Sequence, residues 1–181
     1  MRNSQAVAAA LALALHLAAG SPTAVLAPTP AAAQATREGP SGLPLPRFVS
    51  LKSSRVNVRR GPAQDHEVAW VFVRAGLPVE ITQEFENWRK IRDWEGEEGW
   101  VFHSLLSGRR TVMVTPWQTA ENAALRKTAD PKAEIVAYLE PSVVAEVSRC
   151  DGAWCRISGE TFEGWIEQDR LWGVYPGETL K

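Results

Sequence analysis

The chain has 181 residues with a formal net charge of −1, and is 45% hydrophobic and 23% charged, within the range of globular proteins. Near-neutral charge without a basic stretch excludes the electrostatic footprint of a nucleic-acid binder or a polybasic membrane surface. The distribution is lopsided: no aromatic residue precedes Phe48, no carboxylate precedes Glu38, and Arg2 is the only charge in residues 1–35.

The first 35 residues read as a signal peptide. Arg2 gives a short positive start, and Ala6–Ala19 is an apolar run interrupted only by His16, shorter than the roughly 20 residues of a membrane span. Small-residue cleavage patterns end at Gly20 and at Ala35, and both remain open. The stretch from Pro22 to Pro46 is rich in Ala, Pro, Thr and Gly with little to bury, and its part after the signal peptide, residues 36–46, reads as a linker. The implied location is exported and periplasmic, with no transmembrane segment in the mature chain.

From Arg47 the apolar period is two. Val79 and Ile81 alternate with Glu80 and Thr82, Val71 and Val73 flank Phe72, and Trp100-Val101-Phe102 forms another short run. Turn signals recur at Gly61-Pro62, Gly76-Leu77-Pro78, Glu86-Asn87 and Glu95-Gly96. About five short strands in about 60 residues predict a small antiparallel barrel with no helix of consequence.

A displacement of about 66 residues lays the sequence over itself. Asn87-Trp88-Arg89-Lys90-Ile91 meets Ala153-Trp154-Cys155-Arg156-Ile157, and Glu98-Gly99-Trp100-Val101 meets Glu163-Gly164-Trp165-Ile166. The predicted fold is therefore all-β: one barrel over 47–106, a second over 111–174, and a tail over 175–181. The short connection between them predicts barrels that pack together, with Trp117 and Trp172 at the interface or plugging their own barrel. Cys150 and Cys155 bracket an Asp-Gly turn and read most simply as a disulfide, contributing about 2 kcal/mol. Their counterparts are Glu84 and Arg89, so the same register predicts an ion pair across the first barrel's hairpin.

Val56-Asn57-Val58-Arg59-Arg60-Gly61-Pro62, followed by Asn87-Trp88, Lys90-Ile91 and Gly99-Trp100-Val101, resembles the bacterial SH3 domain pattern. The second unit resembles a degenerate copy, with Lys127-Thr128-Ala129 in place of the Arg-Gly-Pro turn. The resemblance implies tandem SH3-like barrels that act as a non-catalytic binding module, with a cell-wall (peptidoglycan) peptide or an envelope protein as partner. A structural or assembly role in the cell envelope is the alternative.

No catalytic residue, metal site or cofactor is expected. The carboxylates Asp93, Glu95, Glu97 and Glu98 read as a solvated hairpin tip, His66 lies in a polar loop, and no glycine pattern suits a phosphate. The candidate ligand-binding residues are Arg59, Arg60, Trp70, Trp88 and Trp94. They are expected to set a basic loop against an acidic hairpin across an aromatic floor, with Trp94 as surface anchor.

Overall fold

The computed structural model describes residues 37–181, so the predicted signal peptide lies outside the described residues. Among the described residues no helix is long and apolar enough to cross a membrane. Among the described residues the chain is all-β, and the only helical pieces are two short 3-10 turns.

The strands run β1 (Arg37–Glu38), β2 (Pro44–Leu45), β3 (Arg47–Leu51), β4 (Val56–Arg59), β5 (Val68–Phe72), β6 (Pro78–Phe85), β7 (Trp88–Arg92), β8 (Glu98–Phe102) and β9 (Leu106–Ser107). The second half continues with β10 (Thr111–Val114), β11 (Ala123–Arg126), β12 (Ile135–Leu139), β13 (Val144–Asp151), β14 (Trp154–Ser158), β15 (Glu163–Glu167), β16 (Leu171–Trp172) and β17 (Thr179–Leu180). The first sheet has the order β5-β4-β8-β7-β6-β3-β9, and the second repeats it as β12-β11-β15-β14-β13-β10-β16. The internal repeat is thus one topology built twice. Even the irregularities are copied. The register shifts between Ile81 and Gln83 and again between Val147 and Arg149.

Glycine makes the barrel close where the Gly-Trp motif recurs. A Cβ on Gly99 would stand 2.4 Å from Val58, and one on Gly164 would stand 2.7 Å from the Arg126 carbonyl. Only a bare backbone lets β8 cross β4, and β15 cross β11, at that range. The predicted hairpin register is also present. Cys150 faces Cys155 and is joined to it by a disulfide. Glu84 faces Arg89, with 3.2 Å between carboxylate and guanidinium.

The barrels share a packed seam. Met113, on the first strand of the second barrel, is buried in the first barrel's core with Val49, Leu51 and Val79. Trp172 packs against the same cluster, donates its indole N–H to the Pro78 carbonyl at 3.2 Å, and meets Phe48 edge-on at 5.1 Å. Ser50, Thr111 and the Gly76 carbonyl link the two barrels by hydrogen bonds of 2.7 Å. At Gly173 (φ +114°) a Cβ would lie 2.5 Å from the Thr111 carbonyl and 3.2 Å from Pro78. Trp117, by contrast, is 55% exposed and takes no part in this core. The turn that carries it leads out of β10, so its indole is directed to solvent while the paired strand β16 delivers Trp172 to the seam.

Two segments expected to be loose are tied down. Residues 37–45, inside the predicted linker, form the β1–β2 hairpin, and Leu45 enters the first barrel's core. Glu84 holds this hairpin, accepting from Ser41 N (2.9 Å), Ser41 Oγ (2.8 Å) and Arg47 (2.7 Å). In the predicted tail, the Tyr175 ring packs at a tilt against Phe48, and β17 pairs with β13 at Cys150 and Asp151. Each terminal segment therefore covers the same stretch of a long hairpin, β6 in one barrel and β13 in the other.

Burial alone would raise the Glu84 pKa, but the donors Arg47 and Ser41 overcome it and hold the carboxyl below its ordinary value of 4.5. Because the folded-state value is depressed, the stabilisation is complete above the ordinary value and is lost as pH falls through the folded one. We expect the Ser41 amide resonance to move to a disordered position in an acid titration below about pH 4.5. Glu84→Gln should show the displaced resonance at neutral pH, whereas an amide unaffected by the substitution would rule out this clasp.

Candidate functional site

The β4 strand alternates strictly. Val56 and Val58 are fully buried, so Asn57 and Arg59 fall on the outward face, and Arg55, immediately before the strand, is exposed as well. Across from this row, Trp88 on β7 and Phe102 on β8 are register partners whose rings meet edge-to-face at 5.5 Å and 84°. The 3-10 turn His103–Leu105 adds Ser104 and Leu105, and the loop after β4 adds Gln64. Together these eight residues line a groove of about 330 Å³ on the first barrel. Its floor is aromatic, its wall carries two guanidinium groups and three neutral hydrogen-bonding side chains, and no carboxylate lines it.

The loop beside the groove is braced from inside. Arg59 donates to the His66 carbonyl at 2.7 Å, and Arg60 N–H donates to the Glu67 carbonyl at 3.0 Å. The exposed Arg60 side chain pairs with Glu67 at 3.1 Å, a contribution of at most about 1 kcal/mol. Gly61 is required because the His66 ring lies directly over it, 2.4 Å from where a Cβ would stand.

The five residues expected to form one floor divide into separate places. Arg59 and Trp88 line the groove, while Arg60 lies outside it in the brace. Trp70 and Trp94 join a different cluster through Phe72, with centroid separations of 6.1 and 6.0 Å. Trp94 is half-buried against the core at the far end of the β7–β8 hairpin, whose near end carries Trp88 and Phe102. The acidic tip lies there too. Asp93 is buried and accepts from the Glu95 and Glu97 amides at 3.0 Å. Burial raises its pKa, and the two amide donors only partly oppose that. A basic loop facing the acidic tip is therefore not what the fold builds. Asp93 instead closes its own turn.

Residue reasoning missed Arg55, Asn57, Gln64, Phe102, Ser104 and Leu105. The signal available for the first two was the alternation around Val56 and Val58. For Phe102 it was the hairpin register that sets it opposite Trp88.

The second barrel preserves the brace and rewrites the groove. Arg126 donates to the Ala133 carbonyl at 2.8 Å, Lys127 N–H to the Glu134 carbonyl at 3.0 Å, and Lys127 pairs with Glu134 at 3.4 Å. These reproduce the Arg59 and Arg60 contacts although the Arg-Gly-Pro turn is absent. Along the aligned strands, however, Asn122 and Ala124 replace Arg55 and Asn57, and Glu167 and Asp169 replace Phe102 and Ser104. The aromatic partner of Trp154 is gone and carboxylates stand in its place.

Comparison with known proteins agrees with the duplicated topology. The family model described as "Bacterial SH3 domain" matches residues 52–108 and again residues 119–173. Among solved structures the chain is similar to NlpC1 and NlpC2 from Trichomonas vaginalis, with 16% identity to each and TM-scores of 0.32 and 0.33. Those alignments cover 70% of this chain but 45% and 48% of the two proteins, so it spans less than half of their length. No curated protein matches it. With two family matches that together take in more than half of its residues, the chain belongs to the bacterial SH3 domain family and carries the domain twice in tandem.

Proposed function

We propose that the protein is a non-catalytic recognition module of the cell envelope that binds cell-wall peptide in the groove of its first barrel. The observation that carries this reading is the Trp88–Phe102 pair beneath the Arg55-Asn57-Arg59 row, a combination the second barrel has lost. An edge-to-face aromatic pair offers contact area at little conformational cost, and amide and guanidinium donors along a strand suit the carbonyls and carboxylates of an extended peptide. The apolar leader of the sequence and the Cys150–Cys155 disulfide both suit an exported, periplasmic protein.

Co-sedimentation of Thr36–Lys181 with purified sacculi tests the reading. The wild type is expected to pellet. Phe102→Ala should bind at least about tenfold more weakly with unchanged circular dichroism, as for an aromatic anchor. Trp94→Ala, outside the groove, should pellet like wild type. Failure of the wild type to pellet would remove the wall as partner, and cross-linking in the envelope would then seek a protein ligand.

One feature favours the assembly reading. The edge strand β12 is uncharged and exposes Ile135, Val136 and Tyr138, so it offers an open pairing edge. A concentration-dependent sedimentation coefficient abolished by Val136→Lys would support it.

A further inference from the structure

We infer that the first barrel's groove reads an extended peptide bearing two carboxylates, one taken by Arg55 and the other by Arg59; the inference rests on the groove being the binding site proposed above. Five other cations of this barrel are committed, and Lys52 and Arg74, which have no carboxylate partner, lie outside the groove. Arg47 and Arg89 contact Glu84, Arg92 contacts Glu80, Arg60 contacts Glu67 and Lys90 contacts Glu98, all within 3.2 Å. Among the described residues Arg55 and Arg59 have no carboxylate partner, and both open onto the same groove. Arg59 uses one guanidinium nitrogen to brace the loop, which fixes its fork and leaves its other donors for a ligand.

Two uncompensated cations in a groove without a carboxylate favour an anion, more so once docking removes water from the aromatic floor. The positions also set the spacing. Arg55 and Arg59 are four residues apart on an extended backbone, about 13 Å along the strand. A ligand in extended conformation places side chains four residues apart at the same interval. Asn57 stands between the two arginines, where its amide can donate to and accept from the ligand's backbone. The second barrel argues the same point in reverse. It lacks a counterpart of Arg55 and has Glu167 and Asp169 where Phe102 and Ser104 stand, so it repels the ligand the first barrel attracts.

Three capped synthetic pentapeptides decide the matter, with aspartate at both ends, at one end, or replaced at both ends by asparagine. Each is titrated into Thr36–Lys181 by tryptophan fluorescence at low salt. Each carboxylate removed should weaken binding about tenfold. Arg55→Gln should bind the diacid and the monoacid alike, erasing only the gain from the second carboxylate. Lys132→Gln, the same charge change on the second barrel, should leave the ranking intact. Arg55 makes no contact that the fold needs, so it is the variant to interpret; Arg59→Lys keeps the charge and tests the fork.

Binding of all three peptides within twofold overturns the inference, as does equal weakening of all three by Arg55→Gln. Sacculi with carboxyl groups amidated by carbodiimide and ammonia separate the two proposals. Equal pelleting with native and amidated sacculi leaves the wall reading standing and removes the two-carboxylate one. Ranked peptide binding without pelleting on native sacculi supports the two-carboxylate reading, removes the wall, and points to an acidic segment of an envelope protein.

Discussion

Residues 37–108, expressed without the second barrel, are expected to show no cooperative unfolding transition. The first barrel's core is completed from outside by Met113 and is flanked by Val144 and Trp172. Removing these exposes Val49, Leu51 and Val79 on one side and strips Phe48 of both its aromatic neighbours. A barrel of about 60 residues has no reserve against such a loss, since the net stability of small domains is only a few kcal/mol. Met113→Ala in the intact chain is the graded form of the experiment, with an expected cost of about 2–5 kcal/mol. A sigmoidal thermal melt of the isolated fragment at the temperature of the parent would show the seam to be incidental.

The second large effect concerns Glu80, whose side chain is 1% exposed. Arg92 reaches it with two nitrogens, at 2.8 and 2.5 Å, and Tyr175 donates its hydroxyl at 2.9 Å across the seam. Burial, and after it the adjacent Glu80 charge, raise the Tyr175 pKa well above the ordinary phenol value, so the hydroxyl stays a donor over the whole working range. Arg92→Met leaves the carboxylate buried with a single neutral donor and should destabilise the protein by about 3–5 kcal/mol in urea unfolding. Adding Glu80→Met should recover most of that loss, because an apolar replacement of both partners no longer buries a lone charge. A double variant no better than Arg92→Met would show that packing of the arginine stem, rather than its charge, was the missing contribution.

The parts legible in the sequence were those written in local register. The 66-residue offset set Glu84 and Arg89 where Cys150 and Cys155 stand, and both pairs face each other across their hairpins. Cross-strand neighbours a few residues apart follow from turn position and alternation, so strand content and duplication could be read directly. The clasps at the two ends could not. Ser41 acts on Glu84 and Tyr175 on Glu80, contacts that depend on which surfaces the finished barrels present. Leu45 between two prolines reads as linker until a core is there to receive it. The five candidate residues were divided for a related reason, with only Arg59 and Trp88 lining the groove. Trp88 and Trp94 are near neighbours in sequence, but Trp88 opens β7 and Trp94 lies in the turn beyond it, at opposite ends of one hairpin, and only three-dimensional register separates groove from tip. Arg60 shows another limit. A basic residue on a loop invites a ligand, whereas the same cation-to-glutamate pairing in the second barrel marks it as part of the loop's frame.

The absence of room at Gly173 bears on avidity. With the Thr111 carbonyl 2.5 Å and Pro78 3.2 Å from where a side chain would begin, residue 173 has room only for glycine, and the two barrels meet there without a spacer. The orientational freedom that a flexible tether would surrender on each double engagement has been given up once, during folding. On the recognition reading, any touch that a surface of the second barrel outside its altered groove makes on a polymer held by the first is then an intramolecular event. Such a touch gains from a high effective concentration where the spacing on the polymer matches, and gains nothing where it does not. On the recognition reading proposed above, a packed pair of this kind discriminates between polymers by their repeat distance, a property neither barrel has by itself.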